Sequence, residues 1–266
     1  MPGLDAAAAT KLLEPATAAV ACAALAIRGA IGKSGVRRKA DGSPVTAADL
    51  ASNGAIRDRL SQLAPALPII SEEQPQGLEV AAAADSYFLV DPLDGTREFI
   101  EGRDEYTVNI ALMTGAAPLL GVVAAPALGL IWRGLRGWGA ERLAFAADGE
   151  ISPPTAIHAR PLPAVEAVVM VSRSHLDANT QAYLNALRQV RIIASGSALK
   201  FCRIAEGEAD LYPRLAPTHD WDVAAGHAII EAAGGRVLGP GGAPLRYGTP
   251  DLLIPGFIAA GAAKPI

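Results

Sequence analysis

A short apolar run that ends in two acids is the feature that most restricts how this chain can fold. Tyr87-Phe88-Leu89-Val90 has the composition of a buried β-strand, and Asp91-Pro92-Leu93-Asp94-Gly95-Thr96 follows it directly. Pro92 has no backbone N–H and Gly95 accepts dihedral angles closed to other residues, so the strand is predicted to stop and turn here. The turn would present two carboxylates, a carbonyl and a hydroxyl, which are oxygen ligands of the kind that Mg²⁺ prefers.

An Asp-rich turn also has a simpler interpretation, as the cap of a following helix. Two other acidic segments favour a shared site. The strand-like run Leu67-Pro68-Ile69-Ile70 leads into Ser71-Glu72-Glu73, and Asp222 opens a predicted helix that closes on two glycines. Favourable interaction with the helix dipole would explain Asp222 by itself. Asp49 would equally serve as a helix N-cap.

Four segments of the chain occur in the order of the motifs of a known enzyme superfamily. They are 41–49 (DGSPVTAAD), 71–73 (SEE), 91–96 (DPLDGT) and 221–226 (WDVAAG). With these segments the chain resembles, over nearly its whole length, the inositol monophosphatase superfamily of Mg²⁺-dependent, lithium-sensitive phosphatases. The stretches 96–100, 172–175, 196–202 and 205–214 are most similar to the CysQ-type 3'(2'),5'-bisphosphate nucleotidases within it.

The resemblance implies an α/β fold, a layered α/β/α/β/α sandwich in two halves. Residues 1–148 would form an α+β half that carries most metal ligands, and residues 149–266 an α/β half with the substrate contacts and one metal ligand. The residues themselves agree, since closely spaced strands between 106 and 143 predict an antiparallel meander. Alternating strands and helices after residue 166 predict a largely parallel sheet. Helices are predicted over about 5–28, 47–63, 178–188, 198–207 and 222–234.

The resemblance also assigns the catalytic centre. It implies a cluster of two or three Mg²⁺ ions held by Glu72, Asp91, the Leu93 carbonyl, Asp94 and Asp222, with Asp91 bridging two ions. Thr96 and Asp49 match the family's hydroxyl–carboxylate pair that activates water, and Glu72 is placed with these catalytic residues. Thr46 would either support Asp49 or cap the same helix. Phosphate monoester hydrolysis needs an activated water, shielded phosphate oxygens and a stabilised leaving group, which a two-metal cluster provides.

Substrate contacts are implied at a larger set of positions, which comprises Leu93, Asp94, Gly95, Thr96, His175, Ser197, Lys200, Arg214 and Asp222. The Gly95 and Thr96 amides are predicted to begin a helix that faces the phosphate. Ser197 and Lys200 are one helical turn apart and would face one ligand. Alternatively, His175 belongs to a segment that simply caps the end of a strand, and Lys200 and Arg214 are ordinary surface cations. His219 and His227 are interpreted as structural.

Other phosphatase mechanisms fit the sequence less well. In the haloacid-dehalogenase-like motif the two acids are two residues apart, whereas Asp91 and Asp94 are three apart. No P-loop motif is present, and the four His and two Cys residues are not spaced as a zinc site. The remaining alternatives are an inositol-phosphate or fructose-1,6-bisphosphate phosphatase on the same cluster and, from another class, a metal-binding regulatory protein without turnover.

Composition restricts partners and location. A hydrophobic fraction of 51% in 266 residues indicates a compact globular protein, and a net charge of −4 gives no reason to expect binding to a nucleic-acid polymer. The expected partner is therefore a small phosphate ester. Cys22 and Cys202 are predicted to be reduced core residues of a cytoplasmic protein. The apolar run 17–27 is too short to span a bilayer. The protein is therefore expected in the cytoplasm or peripherally at the inner membrane. The sequence leaves its oligomeric state open between a monomer and a homodimer.

Overall fold

The computed structural model of the chain describes residues 4–32, 35–39, 42–75, 84–163 and 165–262. Asp41, the first residue of the 41–49 motif, lies outside these ranges. The helices described are α1 (Ala6–Arg28), α2 (Ala47–Leu63), α3 (Thr96–Ile100), α4 (Ala178–Ala186), α5 (Leu199–Ala205) and α6 (Asp220–Ala232), with a 3-10 turn at Pro240–Gly242. The strands described are β1 (Arg37–Arg38), β2 (Pro44–Val45), β3 (Ile69–Ser71), β4 (Ser86–Asp94), β5 (Thr107–Thr114), β6 (Ala117–Ala125), β7 (Leu130–Leu135), β8 (Gly139–Ala144), β9 (Thr155–Ile157), β10 (Ala167–Ser172), β11 (Val190–Ser195), β12 (Leu211–Arg214), β13 (Thr218–His219), β14 (Arg236–Leu238), β15 (Leu253–Ile254) and β16 (Phe257–Ala260).

The first large sheet is the predicted antiparallel meander. Its strands follow one another in chain order from β3 to β9, and every neighbouring pair is antiparallel except β3 and β4, which run parallel. Both faces are covered, which explains why β5 and β6 are almost continuously apolar and do not alternate. The last strand, β9, lies beyond residue 148, where the sequence predicts the division into halves; that division stays a prediction.

The second sheet is mixed, whereas the sequence predicts a largely parallel one. Its order is β11-β10-β12-β16-β14, with β10 parallel to β11 and β12, and β16 antiparallel to β12 and β14. A parallel neighbour needs a long crossover, usually a helix. The connection from β14 to β16 contains the 3-10 turn and β15 but no α-helix, so the chain returns antiparallel.

The layers follow the order α/β/α/β/α, which confirms the predicted fold class. Helices α1 and α2 cover one face of the first sheet, α5 and α6 lie between the two sheets, and α4 packs on the outer side of β12. Two glycines let α6 approach the first sheet closely. A Cβ on Gly121 would lie 2.1 Å from the Ala225 carbonyl oxygen, and one on Gly134 would lie 2.8 Å from the Ile229 Cα. This contact fixes the position of α6, whose first turn carries Asp222.

Helix α1 forms part of the core, as predicted, although one of its residues differs from expectation. Among the described helices it alone is long and apolar enough to cross a bilayer by those two criteria. Its apolar face packs against α2 and the first sheet. Cys22 was expected in the core but is exposed, because it lies on the opposite face of the helix, while Cys202 in α5 is buried as predicted.

Candidate active site

The acidic bend lies at the end of β4, but its geometry differs from the predicted stop at Pro92. The strand continues to Asp94 through a bulge, since Asp91 pairs with Asn109 and Asp94 with Thr107. A bulge leaves a residue outside the ladder, which accommodates a proline that has no N–H to donate. The turn then comes at Gly95, which has a φ of 91° and begins the short helix α3, as the sequence predicts for its amide.

The parallel pair of β3 and β4 brings a second acid to the same sheet edge. The carboxyl ends of parallel strands meet at one edge, and the Glu72 amide N–H donates to the Val90 carbonyl at 3.1 Å. Glu72 therefore lies beside Asp91. Helix α6 contributes the third acidic element, because the Thr218 hydroxyl and the His219 amide both donate to the Asp222 carboxylate. Asp222 thus belongs to the helix cap and also lines the cavity formed by these elements.

Burial and mutual repulsion dominate the electrostatics of this acidic cluster, which comprises Glu72, Asp91, Asp94 and Asp222. Burial raises the pKa of Glu72 to about 7. The positive charge of Lys39 opposes this rise, and the negative charge of Asp222 adds to it. Burial and Asp222 raise the pKa of Asp94 to about 6. Burial followed by the charges of Glu72, Asp94 and Asp222 raises the pKa of Asp91 well above its ordinary value. A bound cation would favour the ionised forms of Glu72, Asp91 and Asp94.

The chemistry of these donors fits Mg²⁺. Carboxylates and a backbone carbonyl are hard oxygen ligands, and the described residues offer no thiolate or imidazole cluster that would favour a softer metal. With the side chains in their present positions, no three of the described His, Cys, Asp or Glu residues lie close enough together to hold a metal ion. Lys39 provides a positive charge instead, with its Nζ 2.6 Å from Glu72 Oε1 and 2.7 Å from Glu73 Oε1.

Thr96 and Asp49 are hydrogen-bonded, as the resemblance implies. The Thr96 hydroxyl lies 3.1 Å from Asp49 Oδ1 and also 3.1 Å from the Leu93 carbonyl oxygen. The Thr46 amide and hydroxyl donate to Asp49 Oδ2 at 2.7 and 2.6 Å, and Thr46 also caps α2. Both interpretations of Thr46 therefore hold. Burial raises the pKa of Asp49, opposed by the hydrogen bonds from Thr46 and Thr96.

The residues predicted to contact substrate line the same cavity of about 340 Å³, which includes Glu72, Asp91, Leu93, Asp94, Gly95, Thr96, His175, Ser197, Lys200, Arg214 and Asp222. Lys200 is not a surface cation, since only 2% of it is exposed. Burial lowers the pKa of Lys200 to about 8, opposed by the charge of Asp94. Ser197 and Lys200 adjoin through a turn, because α5 begins only at Leu199 and the Lys200 Nζ donates to the Ser197 carbonyl at 2.6 Å.

The remaining predicted contacts lie around this turn. Arg214 is half-buried, and its Nε has no hydrogen-bond partner among the described residues. His175 is exposed to solvent at the rim of the cavity, and partial enclosure of its ring, followed by the charges of Arg214 and Arg97, lowers its pKa. His219 also lines the cavity, with its ring stacked 4.6 Å from that of Trp221, although the sequence gives it only a structural role. His227 is buried against the Tyr247 hydroxyl at 2.7 Å.

Asp220 neither faces solvent nor lines the cavity. It is fully buried, its Oδ2 accepts the Gly248 amide N–H at 2.7 Å, and burial raises its pKa to about 6. It therefore ties the start of α6 to the 247–249 segment. From the sequence alone, the negative charge of Asp220 would either weaken phosphate binding near the site or simply face solvent. The second interpretation is wrong, because Asp220 is fully buried.

Several residues of the site have no motif of their own. Asn109 donates to Asp94 Oδ2 at 3.4 Å, and its amide within an apolar strand is a signal that would have identified it. Lys39 and Glu105 give no such signal, because charged residues on loops and helix ends are ordinarily solvated. Glu98 and Arg173 lie in the stretches 96–100 and 172–175, but nothing there indicates which residues they contact. Their contacts depend on chain segments far away in sequence.

The comparisons with known proteins agree with this geometry. The model of the Inositol monophosphatase family matches residues 8–264. A protein of Shigella flexneri named 3'(2'),5'-bisphosphate nucleotidase CysQ is 47% identical over 227 residues, 82% of this chain and 86% of the relative. The protein of the same name from Escherichia coli K12 is 46% identical over 222 residues, with the same shares covered. The crystal structure of CysQ from Bacteroides thetaiotaomicron, described as a bacterial member of that family, superposes with a TM-score of 0.83 at 36% identity and covers 95% of this chain and 97% of that one.

Proposed function

Because the chain belongs to the inositol monophosphatase family, we propose that it is a Mg²⁺-dependent 3'(2'),5'-bisphosphate nucleotidase. The substrate would be a nucleotide such as 3'-phosphoadenosine 5'-phosphate, from which the enzyme removes the 3'(2')-phosphate. The observation that carries the proposal is that one cavity is lined by the acidic cluster, by Thr96, whose hydroxyl lies within hydrogen-bond distance of Asp49 behind it, and by two cations, Lys200 and Arg214. The relatives' shared name and the structural neighbour support the same substrate class.

The two cations explain why a second phosphate would bind. Lys200 lies on α5 between the two sheets, Arg214 lies at the end of β12 in the second sheet, and both line the cavity that the acidic cluster lines. The half-buried Arg214 side chain lines the cavity, and its permanent positive charge favours an anionic ligand at this position. Charge-assisted hydrogen bonds to a phosphate are stronger than neutral ones. A substrate with one phosphate at the acidic cluster and another at the cations would satisfy both sides.

The family is generally Mg²⁺-dependent, and we infer a cluster of two or three ions at Glu72, Asp91, the Leu93 carbonyl, Asp94 and Asp222. When bound, the ions would act as Lewis acids, lower the pKa of water and neutralise the charge of the phosphate. Lys39 now lies on Glu72, so its ammonium would have to share or leave that carboxylate.

Water activation would depend on Thr96 and Asp49. If the Thr96 hydroxyl donates its hydrogen to Asp49 Oδ1, its lone pairs remain free to accept a hydrogen bond from the attacking water. The proton of the water can then pass through Thr96 to Asp49 as the oxygen attacks phosphorus. Thr46 fixes the other Asp49 oxygen, so the acceptor is held in place.

A phosphate-release panel tests the substrate class. We expect kcat/KM to be highest for 3'-phosphoadenosine 5'-phosphate when it is compared with inositol 1-phosphate and fructose 1,6-bisphosphate. A clear preference for either sugar phosphate would replace this proposal with the alternative on the same cluster. The same proposal places the enzyme in the cytoplasm with a small phosphate ester as its partner. Neither the fold nor the comparisons support a position at the inner membrane.

Removal of the Lys200 charge should lower kcat/KM selectively for the bisphosphate nucleotide. Loss of a charge-assisted hydrogen bond to a remote phosphate corresponds to about 1.5–3 kcal/mol, or a fall of roughly 10- to 150-fold in kcat/KM. Hydrolysis of inositol 1-phosphate by Lys200→Ala should change little. Lys200→Met, which keeps most of the buried volume, separates loss of charge from loss of packing, and Lys11→Met on the exposed face of α1 is the control. Equal losses on both substrates would assign Lys200 to the fold or to the acidic cluster.

Lithium should inhibit more strongly than sodium. The matched ligand set implies that Li⁺ competes for a cation position in the acidic cluster. Initial rates are measured in LiCl and in NaCl at the same ionic strength, with Mg²⁺ held constant. If the two salts lower the rate equally, the family's lithium sensitivity does not extend to this enzyme.

A further inference from the structure

The turn 195–198 is bound by the first half of the molecule although it belongs to the second. The Gly196 amide N–H donates to Glu105 Oε2 at 3.0 Å, and the Ala198 amide N–H donates to the Asp94 carboxylate. Between them, Ser197 has a φ of 50°, which a residue other than glycine rarely adopts. Both amides are therefore held by acids outside their own sheet layer.

Glu105 is itself fixed by the second half. Arg173 donates to Glu105 Oε2 from its Nε at 2.8 Å and to Oε1 from an Nη at 2.7 Å, and the same Nη donates to the Ala194 carbonyl at 2.9 Å. This bidentate pair connects the loop before β5 with the chain that follows β10. The hydrogen bonds from Arg173 hold the pKa of Glu105 below its ordinary range, so the carboxylate is ionised at neutral pH.

The contact between the turn and the Glu105 segment is close. A Cβ added to Gly196 would lie 2.5 Å from the Glu105 carbonyl oxygen and 2.9 Å from Glu98 Cγ. Glu98 is also bound across the two halves, since it accepts a hydrogen bond from the Ser174 hydroxyl at 2.6 Å. The turn thus packs directly on the first half, with no room for a side chain at residue 196.

The 195–198 turn also fixes the position of Lys200. The Lys200 Nζ donates to the Ser197 carbonyl at 2.6 Å and to the Ser195 carbonyl at 3.2 Å, while it lies 5.0 Å above the centre of the Tyr212 ring. Ser197 and Lys200 both line the cavity, whereas Glu105 is not among its lining residues. Any shift of the turn would move the ammonium relative to the acidic cluster.

From these contacts we propose that Glu105 is a positioning residue for substrate recognition: it holds the Gly196–Ser197 turn, and through the turn the Lys200 ammonium, in the position that binds the phosphate away from the scissile bond. The inference rests on the proposed function, since it specifies how the same site recognises a second phosphate. Glu105 does not touch the substrate, so its loss should change KM far more than kcat.

Steady-state kinetics of Glu105→Ala with 3'-phosphoadenosine 5'-phosphate test this role. We expect KM to rise about tenfold and kcat to stay within about twofold, because a buried amide loses its acceptor while the acidic cluster is intact. The kinetic constants for p-nitrophenyl phosphate, which has no second phosphate, should stay within about twofold. Glu105→Gln keeps an oxygen for the Gly196 amide and should raise KM by less than Glu105→Ala. Glu101→Ala, which removes an exposed acid paired with Arg103 nearby, is the matched control and should leave both constants unchanged.

A charge-reversed double variant separates positioning from simple stabilisation. Glu105→Arg with Arg173→Glu restores opposite charges but leaves the Gly196 amide without its acceptor. We expect the Tm to recover toward the wild-type value while KM stays raised. Recovery of KM together with Tm would overturn the role of the Gly196 contact, and so would an equal loss of kcat on both substrates.

Failure of the positioning role of Glu105 and failure of the proposed function would give different results. The wild-type enzyme alone decides whether the bisphosphate nucleotide is the preferred substrate. If another bisphosphate ester is preferred, the same variants are measured on it. A selective KM rise there would still support the positioning role of Glu105, and an unchanged KM of Glu105→Ala on the preferred bisphosphate substrate would refute it.

Discussion

Asp91→Asn is expected to lower phosphate release by about a thousandfold or more, which corresponds to a loss of about 4 kcal/mol of transition-state stabilisation. Asp91 is 1% exposed and lies between Glu72, Asp94 and Asp222 in the acidic cluster. Replacement by an amide removes one negative charge where the proposed ions would be bridged. Excess EDTA should abolish the activity of the wild-type enzyme to a similar extent.

The fold of Asp91→Asn should be unaffected. Burial and neighbouring charges raise the pKa of Asp91 in the folded state, so its ionised form opposes folding at pH 7 and loss of the charge does not destabilise the protein. The amide oxygen can still accept the Leu93 amide N–H, which lies 3.0 Å from Asp91 Oδ1. We therefore expect the Mg²⁺-free variant to have a Tm equal to or above that of the Mg²⁺-free wild type.

Thermal denaturation with increasing MgCl₂ provides the second measurement. A cation that binds the folded state alone raises the Tm of the wild type, and Asp91→Asn should lose most of that rise. Asp220→Asn is the control, because Asp220 is also a buried acid near the start of α6 but does not line the cavity. Near-wild-type turnover of Asp91→Asn, or undiminished activity in EDTA, would refute the metal mechanism.

Thr96→Val should lower kcat by about 10²- to 10⁴-fold, the usual contribution of general-base assistance. Valine has nearly the shape of threonine but cannot pass a proton to Asp49, which lies 3.1 Å from the Thr96 hydroxyl. Thr96→Ser keeps the hydroxyl and should retain most of the activity. The Tm of Thr96→Val should still rise with MgCl₂, because the carboxylates of the acidic cluster are unchanged.

Asp49→Asn should have a similar effect if the two residues act together. In that case the double variant with Thr96→Val should be little worse than either single variant, since residues that act as a unit are not additive. The rates are measured at saturating substrate, so that kcat and not KM is compared. Independent, multiplying losses would mean that Asp49 supports α2 and the bend but does not accept the proton.

Much of the local structure could be predicted because hydrophobic patterns and capping residues act over a few residues. Helix α2 has the predicted bounds, and α1 begins one residue after its predicted start. Prediction was poorer where neighbours in space determine the structure. Strand β4 continues past Pro92 because β5 pairs with both ends of its bulge, and Cys22 is exposed because the first sheet covers the opposite face of α1.

The acids and hydroxyls of the candidate site were identifiable because each belongs to a short motif whose order matches one superfamily. Residues 91–96, 71–73 and 221–226 carry this information in the sequence itself. Their roles nevertheless depend on close approach, for which glycines at 121 and 134 are required. Composition and motif order thus determined the fold class and the kind of chemistry.

Only the tertiary structure decided how the elements of the two sheets and the helices between them meet around the cavity. The pairs Glu105–Arg173 and Lys39–Glu72 are 68 and 33 residues apart in sequence. Glu72 and Arg173 lie in segments that the sequence singles out, but nothing in those segments indicates their partners. A charged residue on a loop gives the same local signal whether it faces water or a partner across a cleft. Its partner depends on how α6 and the two sheets pack, which is the sum of many non-local contacts and cannot be obtained from the spacing of residues along the chain.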